Sequence, residues 1–154
     1  MAILNYTTII SANKTAGEVQ QALAKFGASR VAMEYDDNGQ PSGVSFVLMI
    51  DRNGNNFPVE FKLPANVEGV LQHVKGENKL PARLRNREQA TRVTWRILKD
   101  WIEAQLAIIE AEVAEPAQVL LPYAVAANGQ TMYELFDANP QNLLGPAEPT
   151  EEKK

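Results

Sequence analysis

An α+β fold is what this chain predicts: an antiparallel meander sheet of three to four strands with helices packed on one face. Three observations carry the prediction. Strand-like runs at residues 30–35, 44–50 and 57–63 follow one another, separated by turn sequences. Consecutive strands joined this tightly pair antiparallel, because a parallel neighbour needs a long crossover. The longest periodic segment then comes after the strands, as one helix over about residues 87–113.

Each element has its own reason. Residues 3–10, ILNYTTII, are rich in β-branched types and predict a first strand. Thr15-Ala16-Gly17-Glu18 has the spacing of a capping box, in which hydroxyl and carboxylate satisfy each other's backbone amides. The helix it opens carries Val19, Leu23 and Phe26 on one side, and Gly27 stands where a left-handed C-cap belongs. RVAMEY alternates, with Val31, Met33 and Tyr35 on one face. Asp36 and Asp37 read as turn formers, and Asp37-Asn38-Gly39 supplies positive-φ residues. VSFVLMI is apolar throughout, which predicts a strand covered on both faces, and Asn53-Gly54 makes the next hairpin. FPVEFKL alternates again, and Pro58, with no amide hydrogen, places it at a sheet edge.

Pro64 opens a short helix whose Val67, Val70, Leu71 and Val74 recur at helical spacing before Gly76 ends it. A basic connection over residues 77–86 leads to Asn86, an N-cap with Gln89 three positions on. The long helix, roughly 40 Å at 1.5 Å per residue, has a wide apolar stripe. Ile97, Leu98, Trp101, Ile102, Ile108 and Ile109 form it, flanked by Val93, Trp95 and Leu106. So wide a stripe predicts cover by the sheet on one side and by something else on the other. Glu115-Pro116 stops the helix, and residues 118–136 read as a short strand or hairpin about Asn128-Gly129, then a turn of helix. The order is β-α-β-β-β-α-α. Residues 1–137 form a single α+β domain, and residues 138–154, acidic and rich in proline, are expected to be disordered.

A chain of 154 residues, 45% apolar and 22% charged, supports one ordinary core. It has no cysteine, which excludes a disulfide scaffold, a thiolate nucleophile and a cysteine-ligated zinc. MAILNYTTII has neither a basic region nor a long apolar run, so no secretory signal is expected. No apolar run approaches the ~18 residues of a membrane span. The expectation is a cytoplasmic protein with no membrane partner.

Charge divides unevenly. Residues 1–74 carry 5 basic and 7 acidic groups, residues 75–100 carry 8 and 3, and residues 101–154 carry 2 and 9. The net −4 therefore conceals a basic middle. Five arginines, Arg83, Arg85, Arg87, Arg92 and Arg96, fall within residues 83–96, with Lys79 and Lys99 beside them. Arg92, Arg96 and Lys99 share a helix face with Glu103 and Glu110, cationic toward the N-terminus and anionic toward the C-terminus. The helix dipole prefers the reverse order, so local electrostatics does not explain the arrangement. Arginine forks next to free helix-start amides suit phosphate or carboxylate oxygens. Lys79, Arg83, Arg85, Arg87, Arg92, Arg96 and Lys99 are therefore the candidate nucleic-acid or anion-binding residues, and Trp95 the candidate stacking platform. The competing reading pairs these arginines with Glu68, Glu77, Glu88 or the acidic C-terminal segment.

Catalytic constellations are thin, and no catalytic or metal-binding residue and no cofactor is assigned. The single histidine, His73, has no Ser or Asp motif near it, and no glycine-rich phosphate loop occurs. Asp51 with Glu60-Phe61-Lys62 resembles the Asp…Glu-x-Lys arrangement of restriction-type nucleases, whose chemistry needs both carboxylates on one divalent cation. A hairpin centred on Asn53-Gly54 instead places Glu60 beside Val47, about 13 Å along the strand from Asp51.

REQATRVTWRILKDWIEAQLAIIEAE, together with MAILNYTT, EYDDNGQPSGVSF and VLLPYAVAANGQTMYE, resembles a family of small uncharacterised proteins of bacteriophages and integrated mobile elements. The resemblance covers the chain to about residue 137 and carries no activity or site residue. It implies context: small accessory proteins of phages commonly bind nucleic acid or block a host protein. The leading expectation is a non-enzymatic accessory protein whose basic loop and helix contact a DNA or RNA backbone. The alternative is a protein-binding module, either an inhibitor of a host defence factor or a protein that self-associates through its long helix, and the nuclease stands third.

Overall fold

The computed structural model describes residues 4–76 and 80–147. Helix α1 (Ala12–Phe26) leads into strands β1 (Arg30–Tyr35), β2 (Pro41–Arg52) and β3 (Asn55–Pro64). Helices α2 (Val67–Gly76) and α3 (Arg87–Glu110) follow, then the short α4 (Pro116–Leu120) and α5 (Met132–Ala138). The sheet is an antiparallel meander in the order β1-β2-β3, as the turn chemistry predicted. Asn53 and Gly54 both take positive φ, 56° and 82°, which matches the right-handed twist of the strands they join. Between β1 and β2, the Asp36 carboxylate accepts from the amides of Asn38 and Gln40, both at 2.9 Å.

Alternate residues of β2 build the core. Val44, Phe46, Leu48 and Ile50 are buried and meet Ala16, Val19 and Leu23 of α1 and Trp95, Ile102 and Leu106 of α3. Phe46 stacks on Phe61 of β3 with ring centroids 5.4 Å apart. The expectation that β2 is covered on both faces is corrected here. On the second face cover is confined to the start of the strand: Gly43 and Ser45 are buried, Val47 is half-buried and Met49 is 52% exposed. A smaller cluster, Leu71, Val74, Leu80, Leu84 and Ala90, fixes α2 to the start of α3.

The predicted first strand is also corrected. Residues 4–7 turn rather than extend, and residue 3 lies outside the described residues. Asn5 adopts φ 63°, and the carbonyls of Tyr6 and Thr8 accept from the side-chain amide of Gln89, at 3.0 and 2.9 Å. Gln89 is fully buried, so this segment satisfies its backbone through a side chain instead of a ladder. Helix α1 consequently starts earlier than read. Ser11 caps it by accepting from the Lys14 amide, and Thr15 lies buried inside the helix, so no capping box forms at Thr15–Glu18. Pro64 closes β3 rather than opening α2.

The remaining boundaries are close. Asn86 caps α3, its carbonyl oxygen accepting from the Gln89 amide at 2.9 Å. The hairpin about Asn128-Gly129 is present as one bridge, Val125 to Thr131. It adds to the free edge of β3, where the Val125 amide donates to the Glu60 carbonyl at 2.8 Å. Among the described residues beyond Asn139 the chain makes one 3₁₀ turn, Pro140–Asn142, and residues 148–154 of the tail expected to be disordered lie outside the described residues. No helix among the described residues is long and apolar enough to cross a membrane.

Candidate functional site

The seven candidate cations do not form one water-facing cluster. Arg96 donates to the Glu18 carboxylate of α1 at 2.8 Å. Lys99 sits 2.7 Å from Glu103 and 3.9 Å from the same Glu18. Only 18% of the Arg96 side chain and 16% of the Lys99 side chain are exposed. These two line the α1–α3 seam, where glutamate closes over them. Arg92 donates to Glu88 at 2.7 Å and to the side-chain Oε1 of Gln89 at 3.2 Å, and Arg87 pairs with Glu68 of α2. Arg83 is exposed and Arg85 half-buried, and no carboxylate among the described residues lies within 4 Å of either. Lys79 lies outside the described residues. The unexplained charge order along α3 thus has a partly tertiary cause: Arg87 and Arg96 meet glutamates of α2 and α1, while Arg92 and Lys99 also pair within α3 with Glu88 and Glu103.

Trp95 offers no stacking face. It is fully buried, and its indole N–H donates to the Pro41 carbonyl at 2.8 Å. Trp101 is partly buried against the core and meets Tyr123 edge-on, with centroids 5.4 Å apart and planes at 72°. The buried side of α3 is rotated away from the stripe read in the sequence, because it includes the polar Gln89, Thr91 and Thr94. Both threonine hydroxyls are satisfied within the helix, by the carbonyls of Arg87 and Ala90, so they can be buried at little cost. Ile97, Leu98 and Trp101 are correspondingly only partly buried, with Leu98 and Trp101 packed at the edge of the core.

There they wall an apolar groove of two compartments. In the first, about 370 Å³, Ile97, Leu98 and Trp101 face Ala65 and Val70. The second, about 360 Å³, holds Glu34, Lys62, Tyr133 and Glu134 over the apolar Val44. Leu63, Pro64 and Tyr123 line both, so the compartments share a wall. The sequence stripe pointed to one side of this groove. Nothing local announced Tyr123 and Tyr133, which reach it only because the Val125–Thr131 hairpin docks on β3.

The nuclease geometry is set by the sheet register. Glu60 pairs with Val47 and Asp51 with Asn56, as the hairpin turn required, and Arg30 reaches Glu60 at 3.6 Å. Among the described residues no three Asp, Glu, His or Cys side chains gather as a metal site. His73 is exposed on α2. Comparison of the chain with protein-family models, with curated proteins and with solved structures finds no match to any of them.

Proposed function

We propose that this chain is a non-enzymatic protein-recognition module that seats an apolar segment of a partner protein in the groove along α3. One observation carries the reading. Ile97, Leu98 and Trp101 line a partly open cavity of about 370 Å³, while the cations on the same helix are matched by glutamates. A concave, mostly apolar surface with a few polar groups at its rim is the usual form of a recognition site, and a partly buried tryptophan beside a tyrosine is in keeping with the composition of binding hot spots. The resemblance to small phage and mobile-element proteins makes a bacterial host protein the natural partner. The test is capture with the wild-type chain and with Leu98→Glu, with circular dichroism as a fold control. A partner held by the wild type and released by Leu98→Glu supports the reading; equal capture by both sinks it.

A second reading, contact with a DNA or RNA backbone, is supported by Arg83 and Arg85 at the approach to α3. Backbone contacts weaken steeply with salt. Binding to a labelled oligonucleotide at about 50 mM salt that disappears in Arg83→Ala/Arg85→Ala supports it. No binding at that salt removes it.

A further inference from the structure

We infer that the segment seated in the groove carries a basic residue next to an apolar one, the basic side chain entering the compartment between Glu34 and Glu134. The inference rests on the docking reading above and names the chemistry of its partner. Four observations support it. Two carboxylates and one ammonium, Lys62, line this compartment, and no cation among the described residues lies within 4 Å of Glu34 or Glu134. Glu134 is held in place: its carboxylate accepts from the Thr131 hydroxyl at 3.2 Å, and its amide donates to the same oxygen. Glu34 lies over Gly43, where an added Cβ would meet the Glu34 carboxylate at 3.4 Å and the Leu63 carbonyl at 3.3 Å. A glycine at that position keeps the floor open beneath the acid. Tyr123 and Tyr133 supply aromatic rings, which attract a cation and pack against its alkyl stem.

The adjoining compartment has no charged lining residue, so the neighbouring anchor must be apolar. Because Leu63, Pro64 and Tyr123 belong to both compartments, one short extended segment reaches both. Long-range attraction acts in the same sense, since the chain is net −4 and residues 101–154 hold 9 acidic groups against 2 basic.

The test is selection of short random peptides on the immobilised full chain at low salt. Affinities of the enriched peptides are then measured against wild type and Glu34→Gln/Glu134→Gln. We expect enriched peptides with Lys or Arg beside an aromatic or leucine residue. Replacing that basic residue by norleucine should weaken binding to the wild type about three- to tenfold, and to the double variant by less than about twofold, which isolates the pair. Enriched peptides without a basic residue overturn the inference and leave the docking reading standing. A basic residue whose effect is the same in both proteins overturns it too. No enrichment removes the docking reading itself.

Discussion

Two tryptophans six positions apart on α3 have opposite fates. Trp95 is fully buried with its indole hydrogen bonded to Pro41, whereas Trp101 is only partly buried, at the edge of the core against Tyr123. The same contrast runs along the two sides of the helix. On one side Arg96 and Lys99 are sealed against Glu18 of α1. On the other, Ile97, Leu98 and Trp101 border an open cavity. The lesson is that the best-covered cations of this helix serve its packing on α1, while Ile97, Leu98 and Trp101 are only partly covered.

The contrast can be broken most forcefully at Trp95. Trp95→Ala removes a large side chain from a filled core and leaves the Pro41 carbonyl without its donor. A loss of about 3–5 kcal/mol in urea unfolding is expected. A much smaller loss would mean that the buried side of α3 is not where the fold gets its stability. Next in size is Glu18→Ala, which leaves the largely covered Arg96 without its anion, while Lys99 keeps Glu103 at 2.7 Å. Discounted for the partial exposure of Glu18, about 2 kcal/mol should be lost. Replacing Arg96 by Met in that background should restore part of it, because the apolar stem still packs in the seam.

Trp101→Ala should cost less than Trp95→Ala, about 1–2 kcal/mol of stability, since its ring packs at the edge of the core rather than inside it. Its larger effect is on recognition, and partner capture should fall as it does for Leu98→Glu. Smallest of all is Arg87→Ala. Its pair with Glu68 has side chains 53% and 64% exposed, and such pairs are screened by solvent. A change within about 0.5 kcal/mol is expected, and a larger one would show that α2 depends on this contact rather than on Leu71 and Val74.

Much of the fold was legible because its signals are local. Asn53-Gly54 dictates a two-residue hairpin, and that hairpin sets the whole β2–β3 register, including Glu60 against Val47. Asn86 announced the start of α3 through the amide it caps. The N-terminal segment was misread for the opposite reason. Its β-branched residues favour extension, but a strand also needs a neighbour, and the amide of Gln89, 83 positions away from Tyr6, took its carbonyls first. The site was legible only in part. A stripe too wide for one interface flagged Ile97, Leu98 and Trp101, but their opposing walls come from Pro64, Tyr123 and Tyr133, which no spacing rule connects to them.

By itself the sequence determined which segments form strands in the meander, where its turns fall, and where the long helix begins. Hydrophobic period, turn conformation and capping act over a few residues, so they can be read without knowing the rest of the chain. Only the tertiary structure decided which side of α3 is covered and what its arginines do. Those outcomes depend on groups brought together from far apart, as with Arg96 and Glu18, 78 positions from each other. A charge has no assigned role until the element facing it is in place.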